Sequence, residues 1–173
     1  AGILVWAANL SETAVGRYSK TLSAINQGSA LAVVDPVNIE LTQKADMWVK
    51  PRPGSDLALC LAMINVIIQE RLYDEDFVEK WSVGFDDLRN HVEQYSPASV
   101  SEITWVSEAS IRKLARWYAT KKPACILWGN GIEHNLNGFQ TGRAISILRA
   151  ITGNLCVPGG ELECQSLPLI EPS

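Results

Sequence analysis

The sequence has few of the residues that usually build metal sites, and no run that could cross a membrane. It contains only two histidines, His91 and His134, and none of its four cysteines belongs to a Cys-x-x-Cys pair. We therefore expect no metal site made by this chain alone and interpret the cysteines as buried free thiols. The longest apolar stretch, residues 57–68, is shorter than the roughly 20 residues of a spanning helix. The cysteines are Cys60, Cys125, Cys156 and Cys164.

The chain also lacks a basic surface and a recognisable leader sequence. Its formal net charge is −4, and apart from Lys121-Lys122 its basic residues are scattered, so nucleic-acid binding is not expected. No signal peptide is visible, but the chain begins without Met in a strand-like run and stops in a loop. We interpret it as a fragment of a soluble protein and leave the compartment open between the cytoplasm and the periplasm of a prokaryote.

Apolar runs and helical patterns alternate along the chain. With 47% hydrophobic residues the chain can build a core, and short apolar runs predict strands near 2–6, 31–34, 46–49 and 124–128. A strand-helix-strand opening indicates that the first two strands are adjacent and parallel. A long apolar helix is expected over 55–72. The predicted fold is a three-layer α/β domain with a mainly parallel, Rossmann-like sheet and helices on both faces.

One pattern occurs twice. A short apolar strand ends in Trp6 and is followed by Ala-Ala-Asn9, and a second ends in Trp128 and is followed by Gly-Asn-Gly131. The repetition indicates either two related half-domains or a chance similarity between short apolar strands.

Three polar residues stand where open α/β sheets bind ligands, beyond the carboxyl ends of the strands. Asn9 lies in a turn of small residues before a helix, although the Gly-x-Gly-x-x-Gly fingerprint is absent. Asp35 could accept hydrogen bonds from ribose hydroxyls, and Asp56, after Arg52-Pro-Gly-Ser, could accept them from N1 and N2 of guanine. The structural alternatives are a tight turn, an Asp-Pro exit from a strand and the first turn of a helix.

The second glycine-containing turn is a further candidate. Gly129 and Gly131 could let a phosphate approach the backbone, with His134 and Arg143 on the loop and helix that follow. A single histidine or arginine is more often a surface or packing residue, so neither indicates a function by itself.

The order of these signals resembles the molybdopterin oxidoreductases of the dimethyl sulfoxide reductase and formate dehydrogenase type. The resemblance extends over essentially the whole chain. It rests on Trp6-Ala-Ala-Asn9, Val33-Val-Asp-Pro36, Ala45-Asp46, Arg52-Pro-Gly-Ser-Asp56, Ile126-Leu-Trp-Gly129-x-Gly131, Thr152-Gly-Asn154 and Pro158-Gly-Gly160.

The resemblance implies part of a catalytic subunit that holds molybdenum or tungsten between two molybdopterin guanine dinucleotides. Residues 1–122 would form most of one dinucleotide-binding α/β domain, and residues 123–173 the return segment of the related neighbouring domain. Asn9 would lie against a pyrophosphate, Asp35 against ribose or guanine and Asp56 against guanine. Gly129, Gly131 and His134 would approach the pterin, and Arg143 would help to hold the substrate carboxylate.

The resemblance also implies partners outside this chain. The residue that binds the metal, and any iron–sulfur cysteines, should lie before residue 1. The expected partners are the other domains of the catalytic subunit, an electron-transfer subunit and a small-molecule substrate, and the fragment alone should be inactive.

Three departures from the family pattern concern the first turn and the substrate. Ala7-Ala-Asn-Leu10 stands where the family usually has Gly-x-Asn-Pro, Val37 follows Asp-Pro where arginine is usual, and Cys156 replaces a frequent glycine. Two alternatives stay open. The run from Lys122-Pro to Gly131 also resembles the central domain of thiamine diphosphate enzymes, and the chain could be a nucleotide-binding module without enzymatic activity.

Overall fold

The computed structural model describes residues 1–162. Its strands are β1 (Gly2–Trp6), β2 (Ala30–Val34), β3 (Met47–Val49) and β4 (Ala124–Trp128). Its helices are α1 (Leu10–Thr13), α2 (Val15–Asn26), α3 (Asp56–Gln69), α4 (Glu75–Trp81), α5 (Phe85–Val92), α6 (Pro97–Thr104), α7 (Glu108–Thr120), α8 (Asn130–Glu133) and α9 (Gly138–Ile151), with a short 3₁₀ helix at Glu40–Lys44.

The four strands form one parallel sheet in the order β3-β2-β1-β4. Gly2 pairs with Ala30 on one side and with Ala124 on the other, so β1 is central. The predicted strands and the adjacent, parallel arrangement of the first two are thereby confirmed. The long predicted helix is also present, as α3.

Alternate residues of the strands point into two separate cores, which makes the architecture three-layered. Ile3 and Val5 pack with β2 residues against α2, while Leu4 and Trp6 face the larger core beneath α3, α6, α7 and α9. Every residue of β1 is buried. The predicted α/β class, with helices on both faces of a parallel sheet, is confirmed.

The predicted division at residue 122 stays a prediction. β4 pairs with β1 over its full length, and Ala124 and Ile126 share one core with Leu4 and Trp6. Within residues 1–162 the two predicted segments therefore contribute strands to a single sheet. The repeated pattern has a simpler cause: β1 and β4 are neighbouring parallel strands that end at the same edge and meet the same packing requirements.

The first helical region is broken into two helices, and Ser11 lies inside the first of them. Asn9, not Ser11, precedes α1, and the chain leaves helical geometry at Ala14 before α2 begins. Ser96 and Ser107 cap α6 and α7, because their side chains accept hydrogen bonds from the backbone N–H groups three residues on.

Side chains close the outer edge of β4. The N–H of Ile126 donates to Glu161 Oε1 at 2.6 Å, and its carbonyl oxygen accepts from Arg149 Nη2 at 2.5 Å. The N–H of Ala124 donates to Asn154 Oδ1 at 2.9 Å. These side chains satisfy backbone groups that would otherwise be unpaired at a sheet edge.

The turns after β1 and β4 approach so closely that only glycine fits at residue 129. A Cβ atom there would lie 2.6 Å from the carbonyl oxygen of Ala7 and 2.9 Å from Cα of Ala8. Both contacts are with backbone atoms, so they cannot be relieved by turning a side chain. Gly129 thus has a packing role that is independent of any ligand.

We expect Gly129→Ala to lower the free energy of unfolding by about 1–3 kcal/mol, because the added methyl group must push the two turns apart. The matched control is Gly142→Ala within α9, where an added Cβ meets nothing within 4 Å. That variant should gain up to about 1 kcal/mol from helix propensity. Urea denaturation followed by circular dichroism measures both, and equal effects of the two substitutions would contradict the packing argument.

Candidate functional site

The carboxyl ends of the strands bring several of the predicted residues to one edge of the sheet. The chain runs from β1 outward to β2 and β3 and then returns to the opposite side of β1 as β4. The crevice between β1 and β4 is therefore the point at which the strand order reverses, where open α/β sheets bind ligands. Ala7 and Asn9 follow β1 there, and Gly129 follows β4.

Asp56 joins the first turn of α3 to the end of β1. Its Oδ1 atom accepts a hydrogen bond of 2.8 Å from the indole Nε1 of Trp6, which is fully buried. The preceding turn is shaped by Gly54, with φ +81°, and by Ser55, whose hydroxyl donates to the carbonyl oxygen of Arg52. Ser55 therefore stabilises the turn instead of capping α3, and Asp56 keeps one carboxylate oxygen for another partner.

Asp35 is a second buried carboxyl group at the same edge. It directly follows β2, is only 7% exposed, and accepts from the N–H of Val37 at 2.8 Å through Oδ1. Its backbone oxygen accepts from Trp48 Nε1 at 2.9 Å, which ties the end of β2 to β3. Neither Asp35 nor Asp56 forms an ion pair among residues 1–162.

Burial raises the pKa of both carboxyl groups. Burial is the main cause that raises the pKa of Asp35, and the negative charge of Asp56 raises it further, while the bond from Val37 lowers it. Burial likewise raises the pKa of Asp56, against the lowering effect of the Trp6 hydrogen bond. No ion pair within residues 1–162 stabilises the charged form of either group, so a ligand that donates hydrogen bonds to these carboxylates would stabilise it.

Asn9 is half-buried, and its side chain bonds to a residue of the same turn. Its Oδ1 atom accepts from the hydroxyl of Ser11 at 2.9 Å, and its backbone oxygen accepts from the N–H groups of Glu12 and Thr13. The preceding Ala7 has φ +47°, a left-handed conformation in which glycine is favoured. This position is the one at which the family usually has glycine.

The remaining predicted residues lie in the region of β4, α8 and α9. Gly131 and His134 are exposed, and a Cβ on Gly131 would lie 3.0 Å from Cβ of Ala7. Arg143 is exposed on α9 and lines an open cavity of about 610 Å³ with Trp128 and Phe139. The lining of this cavity includes neither carboxyl group, so the described chain presents two separate candidate surfaces.

Sequence reasoning did not assign a role to two tryptophans that hold the carboxyl groups in place. Trp6 donates to the side chain of Asp56, and Trp48 donates to the backbone of Asp35. A usable signal was present, because a buried indole N–H needs an acceptor and both tryptophans lie in predicted strands.

The cysteines agree only in part with the prediction of buried thiols. Cys60 is buried and Cys125 is partly exposed, but Cys156 is exposed, and Cys164 lies outside the described residues. Cys156 also has φ +56°, which accounts for the usual glycine at this position.

Residues 1–162 contain no group of three or more His, Cys, Asp or Glu side chains placed to hold a metal ion. No helix in that range combines the length and apolarity needed to cross a membrane.

Comparisons with known proteins place this arrangement in a family. Residues 2–165 match the family described as molybdopterin oxidoreductase. The acetylene hydratase of Syntrophotalea acetylenica is 42% identical over 86% of this chain and 20% of its own length. Formate dehydrogenase H of Escherichia coli is 44% identical over 79% of this chain and 19% of its own.

A solved structure agrees with these sequence matches. Acetylene hydratase from Pelobacter acetylenicus superposes with a TM-score of 0.85 at 40% identity, over 88% of this chain and 21% of that protein. The chain thus spans about a fifth of the length of these relatives. Both the sequence and the fold match those of its relatives over most of the chain. The chain belongs to the molybdopterin oxidoreductase family.

Proposed function

We propose that the chain is a segment of a molybdenum- or tungsten-dependent oxidoreductase and that it binds the guanosine end of a molybdopterin guanine dinucleotide. The observation that carries the proposal is the pair of buried carboxyl groups, Asp35 and Asp56, at the carboxyl edge of the sheet. Family membership supports the pterin cofactor, and the acidic pair supports its guanine dinucleotide form.

The chemistry of the two carboxylates suits guanosine. Guanine presents N1–H and N2–H donors on one edge, and ribose presents hydroxyl groups. Asp56 and Asp35 each have one oxygen held by a protein hydrogen bond, from Trp6 and from Val37. The second oxygen of each carboxylate can accept from the nucleotide, and a bond to a charged acceptor contributes roughly 1.5–3 kcal/mol.

The other predicted residues have supporting roles. Asn9 would meet the pyrophosphate, and Gly129, Gly131 and His134 would lie toward the pterin. Arg143, beside the aromatic cavity on α9, would hold an anionic substrate. The bound molybdenum or tungsten would supply the two-electron chemistry, and this chain would orient the cofactor and exclude water from it.

The relatives favour one alternative within the family and none outside it. One relative is named for adding water and another for oxidising formate, so a hydration at the same cofactor is the second candidate reaction. The match over residues 2–165 does not favour a thiamine diphosphate domain or a module without enzymatic activity.

The proposed partners are the remaining domains of the catalytic subunit, a small-molecule substrate and an electron-transfer subunit, with any iron–sulfur cluster held outside this chain. The proposed compartment is the cytoplasm or periplasm of a prokaryote.

The first test concerns recognition of the base. Asp56→Asn keeps an oxygen that can accept from Trp6 but replaces the other acceptor with an N–H donor facing guanine. In a longer polypeptide carrying this chain, the variant should stay folded and retain about ten-fold less guanine dinucleotide cofactor. Cofactor occupancy is measured by releasing and quantifying GMP.

Two control variants separate recognition from structure. Trp6→Phe removes the indole N–H but leaves the carboxylate of Asp56. This variant should therefore destabilise the fold without changing the preference for guanine. Asp87→Asn changes an exposed carboxyl group far from β1 along the chain and should alter neither property. Unchanged GMP content in the Asp56→Asn variant would mean that Asp56 only supports the Trp6 indole and the start of α3.

The second test uses the raised pKa of Asp35. A carboxyl group whose pKa is higher in the folded state binds more protons when folded, so the protein loses stability as the pH rises through that pKa. Asp35→Asn should therefore stabilise the protein at pH 7. The gain should disappear below about pH 4, where the Asp35 carboxyl group is protonated in both the folded and the unfolded chain. Thermal unfolding at several pH values measures this difference, and Asp87→Asn is the control. A stability gain that is the same at every pH would contradict the assignment of the effect to the carboxyl charge.

The third test concerns the chain by itself. We expect the purified 173-residue chain to contain almost no molybdenum or tungsten and to show no turnover, because its described residues offer no metal ligand set. Catalysis at such a centre needs a shaped and supported metal site. Elemental analysis and dye-coupled assays are the measurements, and a stoichiometric metal content would disprove the expectation.

A further inference from the structure

Residues 74–93, which comprise α4 and α5 and are called the acidic lobe below, carry an unusual share of the charge. This stretch has seven acidic and two basic side chains, a net charge of −5, while the whole chain has −4. All of the net negative charge is thus concentrated in twenty residues. A field concentrated in this way attracts and orients partners of opposite charge.

Much of this charge is not neutralised within the described chain. Lys80 pairs with Asp76, and Arg89 pairs with Asp86. Glu75, Glu79, Asp87 and Glu93 form no ion pair among residues 1–162, and all four are exposed.

The acidic lobe also exposes large apolar side chains in the middle of these charges. Trp81, the last residue of α4, is 77% exposed, and Val83 is fully exposed. α4 has no buried residue, whereas α5 is held to the core through Phe85, Leu88 and Val92. An exposed tryptophan next to a charged rim resembles the centre of a protein–protein interface, where tryptophan is a frequent anchor.

A groove runs between the two helices and could receive a side chain. It has a volume of about 890 Å³, and Tyr73, Val78 and Phe85 contribute its apolar lining. Its charged lining has four acidic residues and two arginines, Arg71 and Arg89, of which Arg89 is paired with Asp86. The acidic residues are Glu75, Glu79, Asp86 and Asp87. The rings of Tyr73 and Phe85 pack together with their centroids 4.8 Å apart, which fixes that part of the lining. An apolar side chain flanked by lysine or arginine would match both the lining and the charge.

The character of the acidic lobe favours a separate, reversibly bound protein over a permanent internal contact. Obligate interfaces resemble a domain core cut in half, and charged residues are depleted at their centres. The acidic lobe instead combines one aromatic anchor with many charges. Such surfaces gain association rate and specificity from electrostatics.

We infer that the acidic lobe is a docking surface for a partner protein that presents an apolar side chain flanked by basic residues. The groove receives the apolar side chain, and Trp81 and Val83, the chain neighbours of the groove residue Ser82, contact the partner beside it. Glu75, Glu79 and Asp87 pair with the basic residues. This surface is distinct from the acidic pair of the proposed nucleotide site, and its failure would leave that proposal unaffected.

The experiment measures binding of a defined probe to the protein. The probe is a fluorescently labelled peptide with a central leucine flanked by lysines. The control peptide carries glutamates in place of the lysines. Fluorescence anisotropy should detect the basic peptide at low ionic strength, with weaker binding as salt is added. Trp81→Ala, and separately the double variant Glu79→Gln/Asp87→Asn, should each weaken binding about ten-fold or more.

Matched variants outside the acidic lobe make the result specific. Trp105→Ala removes another exposed tryptophan, which is 71% exposed, and Glu12→Gln removes an exposed acid. Both should bind the peptide like the unmodified chain, and circular dichroism checks that every variant is folded. Absence of binding, or binding that the Trp81 and Glu79/Asp87 variants leave unchanged, would overturn the inference.

Two further outcomes would assign the surface to a different occupant and also overturn the inference. A concentration-dependent dimer in sedimentation that disappears in Trp81→Ala would identify a second copy of this chain. Protection of Trp81 from acrylamide quenching in a longer polypeptide carrying this chain would identify another part of the same polypeptide.

Discussion

The hydrogen bond from Trp6 to Asp56 connects the central strand β1 to the deeply buried helix α3. Trp6 ends the central strand, and Asp56 begins α3, in which eleven of fourteen residues are buried. A buried indole N–H without an acceptor would cost the free energy of an unmade hydrogen bond, so the carboxyl group has to stay near the carboxyl end of β1. The start of α3 is thereby held at the edge where the nucleotide is proposed to bind.

The same interaction explains why structural and functional roles are difficult to separate at Asp56. A residue can satisfy a buried donor with one oxygen and recognise a ligand with the other. The raised pKa of Asp56 reflects burial that the Trp6 bond only partly offsets. A ligand that donated further hydrogen bonds would lower the cost of keeping this carboxylate charged, so cofactor binding and folding are coupled at this residue.

The strands and the fold class could be predicted because they depend on local apolar patterns. β1 and β2 are short apolar runs buried on both faces, and β4 is a similar run that is fully buried only at Ala124 and Ile126. The helical crossover between β1 and β2 requires these two strands to be parallel. The pairing of β4 with β1 could not be obtained in this way. Residues 2 and 124 are paired across more than a hundred residues, and no local pattern specifies which strand β4 will join.

The candidate site was predicted only as far as its positions at the strand ends. Asp35 and Asp56 share one edge, as the sequence indicated, but their bonds to Val37 and Trp6 depend on the tertiary packing. Gly129 was selected for phosphate binding, whereas the contact with the backbone of Ala7 provides a sufficient reason for glycine. The roles of Asn9, His134 and Arg143 stay predictions, because no distance within the chain tests them.

The closed edge of β4 limits the ways in which this protein can associate. Arg149, Glu161 and Asn154 already occupy backbone groups of β4 that an incoming strand would need. Two copies therefore cannot extend their sheets through this edge without first breaking buried polar contacts. Within residues 1–162 the other sheet edge is the short β3, so side-chain surfaces are the more accessible route for specific contacts. A variant without the Arg149–Glu161 pair would expose a template for the uncontrolled growth of cross-strand aggregates.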